Sequence, residues 1–133
     1  MTHFFRYWLP FIFWAILIAY FSSRPDLKSG LPQDTDLVLR KLAHIAEYAV
    51  FAWFLFRVLR FGGKYKKSHA LILAFIISII YAASDEYHQV FVPGREGAVR
   101  DVITDAFGVF TSYVLINLFH KAQLDTFLLT GEN

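Results

Sequence analysis

Four long apolar segments constrain the fold of this chain more than any other feature. They cover about residues 4–22, 41–61, 69–91 and 100–120. A helix needs about 20 mainly apolar residues to cross the ~30 Å hydrocarbon core of a bilayer. Inside lipid, a helix also satisfies its own backbone N–H and C=O groups through hydrogen bonds within the segment. The sequence therefore predicts an all-α fold, a bundle of four transmembrane helices that forms a single domain over residues 1–133.

Composition excludes several other classes of protein. Hydrophobic residues make up 56% of the 133 residues and aromatic residues 19%, which is more than one small soluble core can bury. The chain has no cysteine, so neither a disulfide framework nor thiolate chemistry is possible. The net charge of +2 is too small to indicate nucleic-acid binding. The bilayer itself is the expected partner.

The distribution of charge predicts the orientation of the bundle. The connection between the second and third segments, with its flanks, carries five basic residues and no acid: Arg57, Arg60, Lys64, Lys66 and Lys67. Basic connections stay in the cytoplasm. With four spans, both termini are then cytoplasmic, and the connections after the first and third helices face outward.

Polar side chains recur at helical spacing near the predicted outer end. The stripes are Lys41, His44 and Glu47 on the second helix, Asp85, His88 and Gln89 on the third, and Asp101 and Asp105 on the fourth. Residues three or four apart share a helix face, and by the same spacing Glu86 points elsewhere. Ionisable groups that face lipid are costly. We therefore expect the stripes to face one another in a pocket at leaflet depth, joined by Arg95 and Arg100.

Several uses of this polar set stay open. Arg95, Lys41 and Arg100 can bind a phosphate or carboxylate. His44 or His88 beside a carboxylate can act as a general acid or base. Histidine and carboxylates can also hold a divalent cation, but no established metal-binding motif is present, so no metal or other cofactor is predicted. A purely structural hydrogen-bond network is the remaining alternative.

The same residues carry a family resemblance. The pattern consists of Lys41-x-x-His44, then Ser84-Asp85-Glu86-x-His88-Gln89-x-Phe91-Val92-Pro93-Gly94-Arg95, then Asp101-x-x-x-Asp105-x-x-Gly108. It resembles the VanZ-like family of small membrane proteins over about residues 35–119. In that family the position of Asp105 is often Asn, which implies that a neutral hydrogen-bonding group can serve there.

The founding member of that family is associated with teicoplanin resistance. The resemblance thus implies a cell-envelope role in the bacterial plasma membrane. We expect the pocket to bind or act on an anionic lipid, a lipid-linked cell-wall precursor or a lipoglycopeptide. The expected catalytic residues are His88, Asp85, His44 and Glu47, and the expected ligand-binding residues are Arg95, Lys41, Gln89, Glu86, Asp101, Asp105 and Arg100.

Three functional classes remain open at this stage. The first is a membrane-embedded hydrolase or transferase that acts on the bound ligand. The second is a non-catalytic accessory protein that changes the access of antibiotics or lipids to the surface. The third is a small transporter or proton relay, since it too would use ionisable groups within the membrane.

Overall fold

Four helices account for most of the described chain. The computed structural model describes residues 4–25, 32–95 and 97–130, and for residues 121–130 it describes the backbone alone. Helix α1 covers Phe4–Ser22, α2 covers Gln33–Gly62, α3 covers Lys67–Gln89 and α4 covers Val99–Thr130. The first turn of α1 and the last turn of α2 are π-helical. The predicted all-α fold with four helices is confirmed.

The second helix begins earlier than the sequence predicted. It starts at Gln33 rather than near residue 41, directly after Pro32. The extra turns begin with four polar residues. Arg40 Nε lies 3.0 Å from Asp36 Oδ2 one turn away, and such pairs support a helix. Asp34 and Asp36 lie in the first turn, where a negative charge interacts favourably with the helix dipole and stabilises the helix. The fourth helix likewise continues past residue 120.

All four helices are long and apolar enough to cross a membrane. The mean hydropathy of the best window is 1.5 in α2 and 1.6 in the other three. Their outer surfaces expose large apolar side chains, among them Phe13, Ile80 and Phe107. An apolar exterior of this extent is compatible with lipid and not with water. The protein is therefore a multi-pass membrane protein, and which end faces outward stays a prediction.

Consecutive helices run antiparallel, so α2 and α4 are parallel. The start of α1 meets the end of α2, where Tyr7 stacks on Phe61. The end of α3 meets the start of α4, where Glu86 bonds to Ala98. The ends of α1 and α3 and the starts of α2 and α4 thus lie together, an assembly called here the polar end. The basic stretch that begins at Arg57 lies at the opposite end of the bundle.

Close backbone contact between α2 and α4 positions the polar end. A Cβ atom added to Gly108 would lie 2.2 Å from the carbonyl oxygen of Ile45. Only a glycine permits this approach, and small residues at helix crossings are typical of membrane bundles. Gly108 lies about one turn after Asp105, and Ile45 follows His44. The crossing therefore brings these two polar residues together.

Hydrogen bonds from aromatic side chains hold α1 against the other helices. The indole Nε1 of Trp14 donates to the carbonyl of Glu47 at 2.9 Å. The hydroxyl of Tyr81 donates to the carbonyl of Ala15 at 2.8 Å. The Tyr81 ring also stacks on Phe51, with the ring centroids 4.5 Å apart. Interhelical hydrogen bonds of this kind strengthen helix association inside a membrane, where the hydrophobic effect does not bring helices together.

Candidate functional site

An imidazole–carboxylate pair lies at the centre of the polar end. His44 Nδ1 on α2 is 3.0 Å from Asp105 Oδ1 on α4. Asp105 is 0% exposed, and its other oxygen, Oδ2, has no hydrogen-bond partner among the described residues. The side chain of His44 is 22% exposed. His44 therefore connects a fully buried carboxylate to the accessible space above it.

Glu86 on α3 completes a group of three. Its carboxylate accepts a hydrogen bond from the backbone N–H of Ala98 at 3.1 Å, and the residue is only 4% exposed. The segment before α4 can reach it because a Cβ on Gly97 would lie 2.2 Å from the Glu86 carbonyl oxygen. Side-chain atoms of His44, Glu86 and Asp105 lie within 4.8 Å of one another. The expectation that Glu86 points elsewhere is therefore wrong.

A second polar pair lies beside this group. Gln89 Nε2 donates to Asp85 Oδ2 at 3.1 Å, and both residues are buried. Tyr48 on α2 is fully buried, and its hydroxyl makes no hydrogen bond of good geometry within the described chain. The predicted common face of Asp85 and Gln89 is thus present in the structure.

His88 makes no hydrogen bond to Asp85, the carboxylate on the same predicted helix face. Its Nε2 is 3.1 Å from the hydroxyl of Ser23 at the end of α1, and the residue is exposed. Asp85 bonds to Gln89 instead. The histidine that the structure pairs with an acid is His44, not His88.

Arg95 ties the α3–α4 connection to the end of α1. Its Nε donates to the carbonyl of Arg24 at 3.0 Å, and its Nη2 donates to the carbonyl of Phe21 at 2.8 Å. The last carbonyls of a helix have no partner within the helix, so the guanidinium caps α1. Part of its hydrogen-bonding capacity remains for a ligand.

Two adjoining cavities open at the polar end. The first, called the basic cavity, has a volume of about 300 Å³ and is lined by Leu37, Arg40, Lys41, His44, Glu86, Gln89, Gly94, Arg95, Arg100, Asp101 and Thr104. The second, called the α1 cavity, has a volume of about 220 Å³ and is lined by Ile18, Phe21, Ser22, Arg40, Ala43, His44, Glu47, Asp85, Gln89 and Arg95. Arg40, His44, Gln89 and Arg95 belong to both, so these four side chains separate the cavities.

The cavities gather nearly all of the predicted site residues. Six predicted ligand-binding residues and His44 line the basic cavity, while Glu47 and Asp85 line the α1 cavity. Asp105 lies buried beneath His44. Like Asp105, His88 lines neither cavity. Arg40 was not predicted, although its spacing of four residues from Asp36 is a signal that could have identified it.

The basic cavity carries more positive than negative side chains. Four basic residues, Arg40, Lys41, Arg95 and Arg100, line it with two acids, Glu86 and Asp101. Arg100 Nε is 3.9 Å from Asp101 Oδ1, and its side chain is 73% exposed. A long, exposed cationic side chain keeps its charge available to a ligand. The charge balance favours an anion.

Comparison with known proteins identifies one relationship. A family model described as VanZ/LLP1 matches residues 2–120. No curated protein matches the chain. No solved structure matches it either.

Proposed function

The chain belongs to the VanZ/LLP1 family, and on that basis we propose that it is a bacterial plasma-membrane protein that binds an anionic amphiphile at its polar end. The observation that carries the proposal is the pairing of a basic cavity with an α1 cavity that has apolar residues in its lining. The anionic part of an amphiphile fits the basic cavity, and its apolar part fits the α1 cavity.

The anionic group is expected in the basic cavity. Guanidinium groups bind phosphate and carboxylate in bidentate fashion and stay charged. Arg40 and Arg95 stand between the two cavities, so both can reach an anion that sits at their junction. Lys41 and Arg100 are exposed at the rim and supply further positive charge at short range.

The apolar part of the ligand is expected along α1. Ile18 and Phe21 line the α1 cavity, and the neighbouring surface of α1 exposes large apolar side chains to lipid. Ligand pockets for small molecules are commonly about 300–1,000 Å³, and the basic cavity has about 300 Å³. That volume suits a phosphate-bearing headgroup and not a whole glycopeptide. We therefore favour a lipid or a lipid-linked cell-wall precursor over the antibiotic itself.

The polar end is expected to face outward. The basic stretch from Arg57 to Lys67 lies at the opposite end, and basic connections stay in the cytoplasm. An outward site at leaflet depth can meet both anionic lipids and lipid-linked precursors. Any teicoplanin resistance would then follow from altered access to such a lipid.

Binding to lipids of different charge tests the proposal. The purified protein is titrated with a fluorescent phosphatidylglycerol and with a phosphatidylcholine of the same chains. We expect the anionic lipid to bind at least about tenfold more tightly, a difference of ~1.4 kcal/mol. The double variant Lys41→Ala/Arg100→Ala should remove most of that preference. The matched control is Lys64→Ala/Lys66→Ala, which removes two exposed charges at the opposite end. Equal affinity for both lipids, or an equal loss in the control, would contradict the proposal.

A reaction on the bound headgroup is the second candidate function. The observation that favours it is the His44–Asp105 pair, in which His44 lines both cavities. A carboxylate that orients an imidazole is the usual arrangement of a general base. Incubation with phospholipid or with a lipid diphosphate, followed by mass spectrometry of the lipids, tests it. A product that disappears in His44→Gln, with binding retained, supports catalysis. Binding without product identifies an accessory protein.

A further inference from the structure

We propose that His44, Glu86 and Asp105 form a binding site for a divalent transition-metal cation between α2, α3 and α4. The three residues come from three different helices and offer one nitrogen and two carboxylate oxygens. The inference goes beyond the proposed ligand and does not depend on it, because the metal can be measured without any lipid.

The geometry is close to that of a three-ligand site. The potential ligand atoms lie within 4.8 Å of one another, and the His44 and Asp105 atoms are already 3.0 Å apart. A cation bound at ~2.0–2.2 Å to each ligand needs the ligand atoms roughly 3.3–3.6 Å apart in a tetrahedral site. Small side-chain rotations that move the ligand atoms by about 1 Å bring them to this spacing. Three protein ligands leave a further coordination position open.

A buried oxygen without a partner points independently to a missing ligand. Oδ2 of Asp105 has no hydrogen-bond partner among the described residues, although the residue is 0% exposed. A buried acceptor without a partner is destabilising. Inside a helix bundle in a membrane, a lone charged oxygen is costlier still. A cation at this position would satisfy it.

The charges of the group also favour a bound cation. Glu86 and Asp105 are both buried, and His44 can supply at most one positive charge. Two of the basic residues nearby make contacts away from this group, Arg40 with Asp36 and Arg95 with two backbone carbonyls. Among the described residues, neither makes an ion pair with Glu86 or Asp105. A divalent cation neutralises two carboxylates at once.

The donor set indicates which cations fit. Imidazole nitrogen favours zinc and similar metals, whereas magnesium and calcium prefer oxygen ligands alone. One nitrogen and two oxygens therefore favour Zn²⁺ or Mn²⁺. The Ala98 N–H that holds Glu86 is the kind of outer contact that orients a metal ligand. His44 and Glu86 also line the basic cavity, which places the cation next to the expected anion.

Metal content and thermal stability of the full chain test the site. The protein is purified without chelator, and its metals are measured by plasma mass spectrometry. Aliquots are then stripped with EDTA and titrated with Zn²⁺, Mn²⁺, Mg²⁺ or Ca²⁺ alone. We expect one equivalent of Zn²⁺ or Mn²⁺ per chain and a rise in Tm of about 5 °C on its return to the stripped protein. Mg²⁺ and Ca²⁺ should give a smaller rise.

Substitutions locate the bound metal. Asp105→Asn and Glu86→Gln should each weaken the metal at least about tenfold. The matched controls Glu47→Gln and Asp101→Asn remove nearby acids outside the group and should keep one equivalent. If a site variant does not fold, the titration of the wild-type protein still shows whether the chain binds a metal. Wild-type protein that holds no metal and shows no Tm shift with any of the four cations would overturn the proposal. An equal loss of metal in the control variants would overturn it too. Loss of lipid preference with metal retained would count against the proposed function alone.

Discussion

Replacement of Gly108 by alanine tests whether the contact between α2 and α4 builds the site. The added Cβ would lie 2.2 Å from the Ile45 carbonyl oxygen and 3.1 Å from the Ala49 nitrogen. A carbon and an oxygen in contact normally stay about 3.3–3.6 Å apart. The two helices must therefore separate by roughly 1 Å at this point.

That separation is enough to break the central pair. The His44–Asp105 distance is 3.0 Å, and an added displacement of roughly 1 Å takes it beyond hydrogen-bond range. Overpacking of this kind costs about 1–3 kcal/mol, and a lost bond to a charged group costs about 1.5–3 kcal/mol. We expect Gly108→Ala to lower the free energy of unfolding by roughly 2.5–6 kcal/mol.

The assay is reversible unfolding in mixed micelles, followed by circular dichroism. Gly62→Ala is the matched control, because its nearest neighbour would be Trp8 Nε1 at 3.4 Å, an ordinary contact. The loss caused by Gly108→Ala should also shrink in an Asp105→Asn background, where the pair is already weakened. If Gly108→Ala and Gly62→Ala unfold at the same denaturant concentration, the reasoning is refuted.

Three further predictions follow from individual contacts. Arg95→Lys should lower the free energy of unfolding by about 1–2 kcal/mol, because one ammonium group cannot reproduce both bonds to the end of α1; unchanged stability would show that the cap is unimportant. Trp14→Phe should cost about 1 kcal/mol through the lost bond to the Glu47 carbonyl, measured by the same unfolding assay. Since the chain has no cysteine, a membrane-impermeant maleimide should label Tyr87→Cys in intact cells and spare Lys64→Cys; the reverse pattern would place the polar end in the cytoplasm.

The fold and most of the polar end could be predicted because both follow from helical spacing. Segment lengths predict the four spans, and intervals of three or four residues predict which polar groups share a face. Lys41 and His44 on α2 and Asp101 and Asp105 on α4 were identified in this way. Gly108 belongs to the same sequence pattern, and in the structure it lies against the backbone of Ile45.

The face of α3 was predicted only in part, because Glu86 and His88 were assigned to the wrong sides of the helix. At roughly 100° per residue, Ser78, Ala82 and Gln89 point within about 40° of one another, and all three are buried. Glu86 lies about 60° from the centre of that face and His88 about 100° from it. The small residues of the preceding turns thus indicate the buried face better than the polar residues do.

Contacts between distant segments were not predictable from spacing. The bonds of Arg95 to Phe21 and Arg24 depend on how the α3–α4 connection crosses the end of α1. The approach of Ala98 to Glu86 depends on Gly97 lying against α3. Neither arrangement leaves a periodic signal in a single sequence, because it is tertiary packing that determines both.

Native mass spectrometry of the intact protein tests whether the polar end binds an anionic amphiphile. The protein is released from micelles that contain equal amounts of phosphatidylglycerol and phosphatidylcholine, and bound lipids are removed by increasing collision energy. We expect one anionic lipid to stay bound after the phosphatidylcholine has dissociated, and we expect Arg40→Ala/Lys41→Ala to lose this retention. Loss of both lipids at the same energy from the wild-type protein would contradict the claim that the polar end binds an anionic amphiphile.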